Sequence, residues 1–166
     1  MIYRLEFEDV VSLANTADYG IFKIWKNPEP IQAWQSIPLK SSNPASLPDV
    51  IGLRSIMVWQ LALVEVIPSD DYQALPVTLD DMTCYAIHIT RVLDCLDAKR
   101  SIFKRFKNRN IGVEHYVLRA NCVGDALLFT IPDDGHSAIF ASETFKSQVE
   151  EERWTGLSFF PVEMSE

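Results

Sequence analysis

Of the 166 residues 48% are hydrophobic and 23% charged, and the formal net charge is −8. Nine Phe, four Trp and five Tyr exclude a disordered chain, because disordered segments lack the apolar side chains that offset chain entropy; a domain of this size buries roughly 70% of its unfolded surface and needs neither disulfide nor metal to hold a core. The acidic balance argues against nucleic acid as the partner of the surface as a whole and admits a basic macromolecule.

In chain order, Tyr3, Leu5 and Phe7 alternate with Arg4, Glu6 and Glu8, which predicts a strand with one apolar and one charged face. No apolar stretch of signal-peptide length builds before the acids arrive. Residues 26–50 carry Pro28, Pro30, Pro38, Pro44 and Pro48. That density predicts an irregular surface excursion instead of helix or central strand, packed down through Ile31, Trp34, Ile37 and Leu39. The run from Ile56 to Ile67 is apolar nearly all round, as a buried helix would be, although its first residues fit a strand equally. With Gln60 and Glu65 inside it, it falls short of the ~20 residues of a membrane helix.

Pro68 stops that run and Ser69-Asp70-Asp71 turns the chain. Leu75-Val77-Leu79 and Tyr85-Ile87-Ile89 then alternate about Asp80-Asp81, predicting two strands and a turn. Val92, Leu93 and Leu96 predict a brief helical turn, which would set Asp94 and Asp97 on one face. Further strands are expected at Ile102-Phe103, Ile111 to Leu118, Leu127 to Ile131 and Ala138 to Phe140, with turns at Asn108 to Asn110, Asn121 to Gly124 and Pro132 to Gly135. Ser142 is placed to cap a helix whose Phe145 and Val149 share a face. Gly156 is placed to close that helix before a last strand, Leu157 to Val162. The expected fold class is α+β, a mostly antiparallel sheet with two or three packed helices in a single domain spanning 1–166.

Chemical motifs are sparse. Cys84, Cys95 and Cys122 match no zinc or redox spacing and indicate a reducing, cytoplasmic compartment. His88, His115 and His136 are the only imidazoles. Cys84 and His88 share a strand face with only Cys95 or Cys122 as third donors, so no metal site is expected. Paired acids at 70–71, 80–81 and 133–134 read as turn makers. There is no phosphate loop, nucleophile elbow or Ser-His-acid order, and neither a catalytic residue nor a cofactor is assigned. Residues 99–109 hold six of the fifteen Lys and Arg and no acid, so the remaining chain carries −14. Lys99, Arg100, Lys104, Arg105, Lys107 and Arg109, interleaved with Phe103 and Phe106, could meet nucleic acid. The favoured reading is a hairpin with core aromatics and solvated cations. Asp94, Asp97, Glu150, Glu151 and Glu152 are the candidate contacts for a basic protein partner. A small-ligand or enzymatic pocket near Asp94, Asp97 and His88 is the alternative, and nucleic-acid binding through 99–109 the third reading.

Several segments together carry a resemblance: Leu47-Pro48-Asp49-Val50, Leu75-Pro76-Val77, the run Tyr85 to Ser101 with its Leu96-Asp97-Ala98-Lys99-Arg100-Ser101 turn, Leu128-Phe129, Ile139 to Lys146, and Trp154-Thr155-Gly156-Leu157-Ser158-Phe159. From Leu47 to Val162 the chain resembles family eleven of the predicted immunity proteins of bacterial polymorphic-toxin systems. The resemblance implies a cytoplasmic, non-enzymatic protein that binds and neutralises a cognate toxin domain. Residues 1–46 lie outside it, as a strand plus the proline-rich extension.

Overall fold

The computed structural model describes residues 1–8, 11–13, 26–41, 47–53, 56–60 and 65–166. Among them, fourteen strands form four sheets. The first strand, β1 (Ile2–Phe7), turns Tyr3, Leu5 and Phe7 to one side, as alternation predicts, and pairs antiparallel with β12 (Phe140–Ser142) and β13 (Leu157–Pro161). With β11 (Leu128–Phe129) these make a four-stranded sheet in the order β11-β12-β1-β13. A six-stranded sheet runs β2 (Val11–Leu13), β3 (Ile37–Ser41), β6 (Tyr72–Leu79), β7 (Met82–Ile89), β5 (Ile56–Gln60) and β4 (Val50–Leu53). Only its β3–β6 pair is parallel. Two two-stranded ladders complete the set, β8 (Ile102–Phe106) with β9 (Arg109–His115), and β10 (Val117–Arg119) with β14 (Glu163–Ser165).

Three apolar layers explain this stacking. Leu5, Met57, Trp59, Ile87, Phe145 and Val149 fill the space between the two large sheets. Trp59 and Phe145 stack there with ring centroids 6.0 Å apart. On the far side of the six-stranded sheet, Ile51, Val58, Val77 and Ala86 are covered by Ile31, Trp34 and Leu47. On the far side of the four-stranded sheet, Ile2, Phe129 and Phe140 meet Cys95, Leu96, Val113 and Leu118. Both large sheets thus carry buried apolar side chains on both faces.

The α+β expectation is corrected by this architecture: the chain is mostly β, with 48% strand against 13% helix among the described residues. Two α-helices lie wholly within them, the single turn α1 (Ala120–Val123) and α2 (Glu143–Glu151). The stretch 56–60 is strand β5; Met57 and Trp59 are buried on one face and Ile56 and Val58 on the other, and a doubly buried strand shows no alternation. Of the rest of that reading, 61–64 lie outside the described residues and Glu65 and Val66 are helical; 42–46 of the proline-rich segment also lie outside the described residues. Within the latter, Ile37–Ser41 is a paired interior strand despite Pro38. Its four anchors do pack, with Ile37 and Leu39 buried. The turn expected over Val92–Leu96 is extended backbone. Bridges from Val92 to Thr130 and from Leu96 to Leu118 hold it, so long-range partners override local spacing.

The Asp80-Asp81 hairpin stands as read, with both residues at positive φ (45° and 70°), the conformation that two-residue hairpin turns favour. Ser142 caps α2 by accepting the Phe145 N–H at 3.3 Å. Gly156 does not close that helix. Arg153 takes the left-handed conformation (φ 58°) and the Trp154 N–H returns to the Val149 carbonyl; Gly156 (φ 99°) instead lies where a Cβ would meet the Val50 carbonyl oxygen at 2.0 Å.

Candidate functional site

The polar groups of the resemblance motifs are spent on the fold. Asp97 Oδ1 accepts the N–H groups of Lys99 and Arg100 at 3.1 and 3.3 Å, and its backbone carbonyl accepts that of Ser101 at 2.9 Å. The Ser165 hydroxyl beside Asp97, and then these amides, hold its carboxyl below the usual range. Ser101 Oγ in turn accepts the Val117 N–H at 3.0 Å. Far along the chain, Asp49 Oδ2 accepts from the Thr155 N–H at 2.9 Å and its hydroxyl at 3.0 Å. The proline-aspartate and threonine-glycine motifs therefore meet each other.

Asp94 points outward, its side chain 86% exposed, with Arg119 Nη2 at 3.4 Å from Oδ1. The same guanidinium donates to the carbonyls of Asp94 and Leu96 at 2.6 and 2.7 Å. In extended backbone Asp94 and Asp97 do not share a helical face, which corrects that expectation. Glu150, Glu151 and Glu152 are exposed at the end of α2. Lys146 pairs with Glu150 one turn back. Glu151 and Glu152 have no ion-pair partner among the described residues.

His88 is 2% exposed. Its Nε2 donates to the Asn27 carbonyl at 2.6 Å, and Nδ1 lies 3.2 Å from Gln73 Oε1. A cavity of about 20 Å³, room for one water, is lined there by Asn27, Ile56, His88, Thr130 and His136. Neither Asp94 nor Asp97 lines it, so the structure does not assemble the three residues of the alternative pocket. His136, its Nδ1 3.1 Å from Thr130 Oγ1, lines the same cavity, which the sequence does not show, since nothing local links residues 48 positions apart.

Burial holds the His88 pKa below its usual 6.5, with the Asn27 carbonyl opposing in part. The folded ring takes up its proton at a lower pH than the unfolded one, so the unfolded chain binds the extra proton as pH falls below 6.5. This contribution to stability is therefore whole above that pH and is lost as pH falls from 6.5 through the lower folded pKa. Urea unfolding at pH 7.5 and 5.0 should show a smaller loss in His88→Gln than in the wild type. Equal losses would remove His88 as the cause.

Cys84 and Cys95 are buried free thiols. Burial raises both, Cys95 to about 12. Among the described residues no three His, Cys, Asp or Glu side chains gather as a metal would require, and no helix is long and apolar enough to cross a membrane.

The segment 99–109 projects as the β8–β9 hairpin. Phe103 and Val113 turn into the third apolar layer, and every residue from Lys104 to Ile111 is exposed. Beside its base runs a groove of about 150 Å³ lined by Arg4, Glu114, His115, Phe160 and Glu163. Glu163 receives Arg100 and lies 3.2 Å from His115.

The chain matches the model of the Immunity protein family (Imm11) over residues 75–164, more than half of its length, and belongs to that family. The match begins at Leu75, later than the resemblance from Leu47. No curated protein matches the chain.

Proposed function

We propose that this chain acts in the cytoplasm as the immunity protein of a polymorphic-toxin system, binding and neutralising a cognate toxin domain without chemistry of its own. Membership of the immunity family carries the reading. It is supported by the motif residues Asp97, Ser101 and Thr155, whose polar groups bond within the fold and build no reaction centre. The −14 carried outside residues 99–109 draws the basic part of a partner in at long range. Of the five candidate carboxylates, Asp94, Asp97 and Glu150 bond to groups of this chain. Glu151 and Glu152 remain to act on encounter.

Co-expression with the toxin encoded beside this chain tests the proposal. Growth should be retained with the soluble chain present and lost without it. Equal killing in both cultures would refute it. Charge reversal at Glu151 and Glu152 should slow association several-fold and leave dissociation nearly unchanged, as surface charges do.

A further inference from the structure

We propose that the β8–β9 hairpin is the docking element of this chain and that it takes an acidic, partly apolar cleft on the toxin domain. The inference rests on the binding function proposed above. Lys99, Lys104, Arg105, Lys107 and Arg109 have no ion-pair partner among the described residues. Five unpaired cations in eleven positions, on a chain with eight more acids than bases, form a patch that nothing described in the fold neutralises.

Large apolar residues stand among them. Ile102 is 56% exposed, Phe106 63% and Ile111 63%, three of the seven exposed large hydrophobics among the described residues. Arg and Phe with aliphatic neighbours is the composition of a protein interface centre, where a few such side chains dominate affinity. Lys107 sharpens the point. It begins the two-residue turn at φ 53°, where glycine is easier, so a cation occupies the tip at a conformational cost.

Anchorage keeps the element presented. Phe103 and Val113 hold it to the third apolar layer, and the Asp97 and Ser101 hydrogen bonds fix the chain at its base. A preformed element loses little freedom on binding. The partner must supply carboxylates for the cations and an apolar wall for Phe106 and Ile111. Single-stranded nucleic acid fits less well. Phe103 is turned inward, which leaves Phe106 as the hairpin's exposed aromatic ring, isoleucines do not stack on bases, and the −14 of the body repels flanking phosphates.

Calorimetric titration with the toxin domain encoded beside this chain tests the inference. Four chains are compared: wild type, Lys104→Glu/Arg105→Glu/Lys107→Glu, Phe106→Ser/Ile111→Ser, and Glu151→Lys/Glu152→Lys. These side chains are exposed, so thermal unfolding should stay at the wild-type temperature. Each hairpin variant should lose about 100-fold in affinity, while Glu151→Lys/Glu152→Lys stays within about tenfold. Wild-type binding with undiminished affinity in both hairpin variants overturns the hairpin alone. No binding by the wild type overturns the immunity reading and the hairpin with it. Wild-type retention on an oligo(dT) column at low salt, abolished by the charge reversal, would make the hairpin a nucleic-acid surface and likewise overturn the inference.

Discussion

Gly156→Ala is expected to destabilise the chain by about 3–5 kcal/mol. Two costs combine. At φ 99° an L side chain is strained, worth roughly 1–3 kcal/mol. The new Cβ would also lie 2.0 Å from the Val50 carbonyl oxygen and 2.9 Å from Pro48 Cβ, and neither can swing aside. Val50 is held by its N–H to the Thr155 carbonyl at 3.0 Å, and Glu8 donates to the Gly156 carbonyl at 3.1 Å. The clash therefore forces β13 away from β4 and β1, where Leu157 and Phe159 pack on the central layer. The contrasting change is Arg153→Gly. Relief of its left-handed strain should gain about 0.5–1 kcal/mol. Urea denaturation of the two variants decides the matter: a mild Gly156→Ala would mean that the strands have room to part.

Asp71→Ala should cost about 2–4 kcal/mol, because this carboxylate accepts where nothing else can. Its side chain is 13% exposed. Oδ2 accepts the Leu127 N–H at 2.7 Å and the Leu128 N–H at 3.4 Å, while the backbone carbonyl accepts from Thr90 and Arg91 at 2.9 and 3.1 Å. The residue thus ties the start of β6 to β11, joining the two large sheets. Truncation leaves two amides without an acceptor and Arg91 without one of its two carboxylate neighbours. Asp71→Asn keeps one oxygen and should lose about half as much. Asp70, exposed on the same turn, should tolerate alanine. If Asp70→Ala and Asp71→Ala proved equal, the pair would be serving only the turn.

These two residues show where sequence reasoning reaches and where it stops. Asp71 reads correctly as a turn acid, yet its bonds to Leu127 and Leu128 span more than fifty positions, and no local pattern carries them. Gly156 is legible as a residue that needs freedom. The reason for that freedom is the Val50 carbonyl and not the helix before it. Strand β1 is legible because one alternating set of its side chains faces a core, and the β6–β7 hairpin because Asp80-Asp81 marks its turn. Strand β5 is not, since burial on both faces erases the period that separates strand from helix. Pro38 and Pro76 both sit inside paired strands, so a lone proline removes one donor without breaking a strand.

At the surface, composition marks the cations of 99–109, but the reading of Phe103 and Phe106 as core aromatics holds for Phe103 alone. Exposure of Phe106 and Ile111 was hidden, because alternation says which residues share a face but not whether that face has a neighbour. Likewise Asp94 and Asp97 share a face only in a helix, and the bridges at Val92 and Leu96 prevent one.

The central claim is that this chain works by holding a toxin domain. Size-exclusion chromatography with light scattering, on the chain mixed with the toxin domain encoded beside it at micromolar concentration, measures that most directly. A single peak at the summed mass, with toxin activity lost in the same fraction, is the predicted result. Two separate peaks, with the toxin fully active in the presence of excess chain, would contradict it.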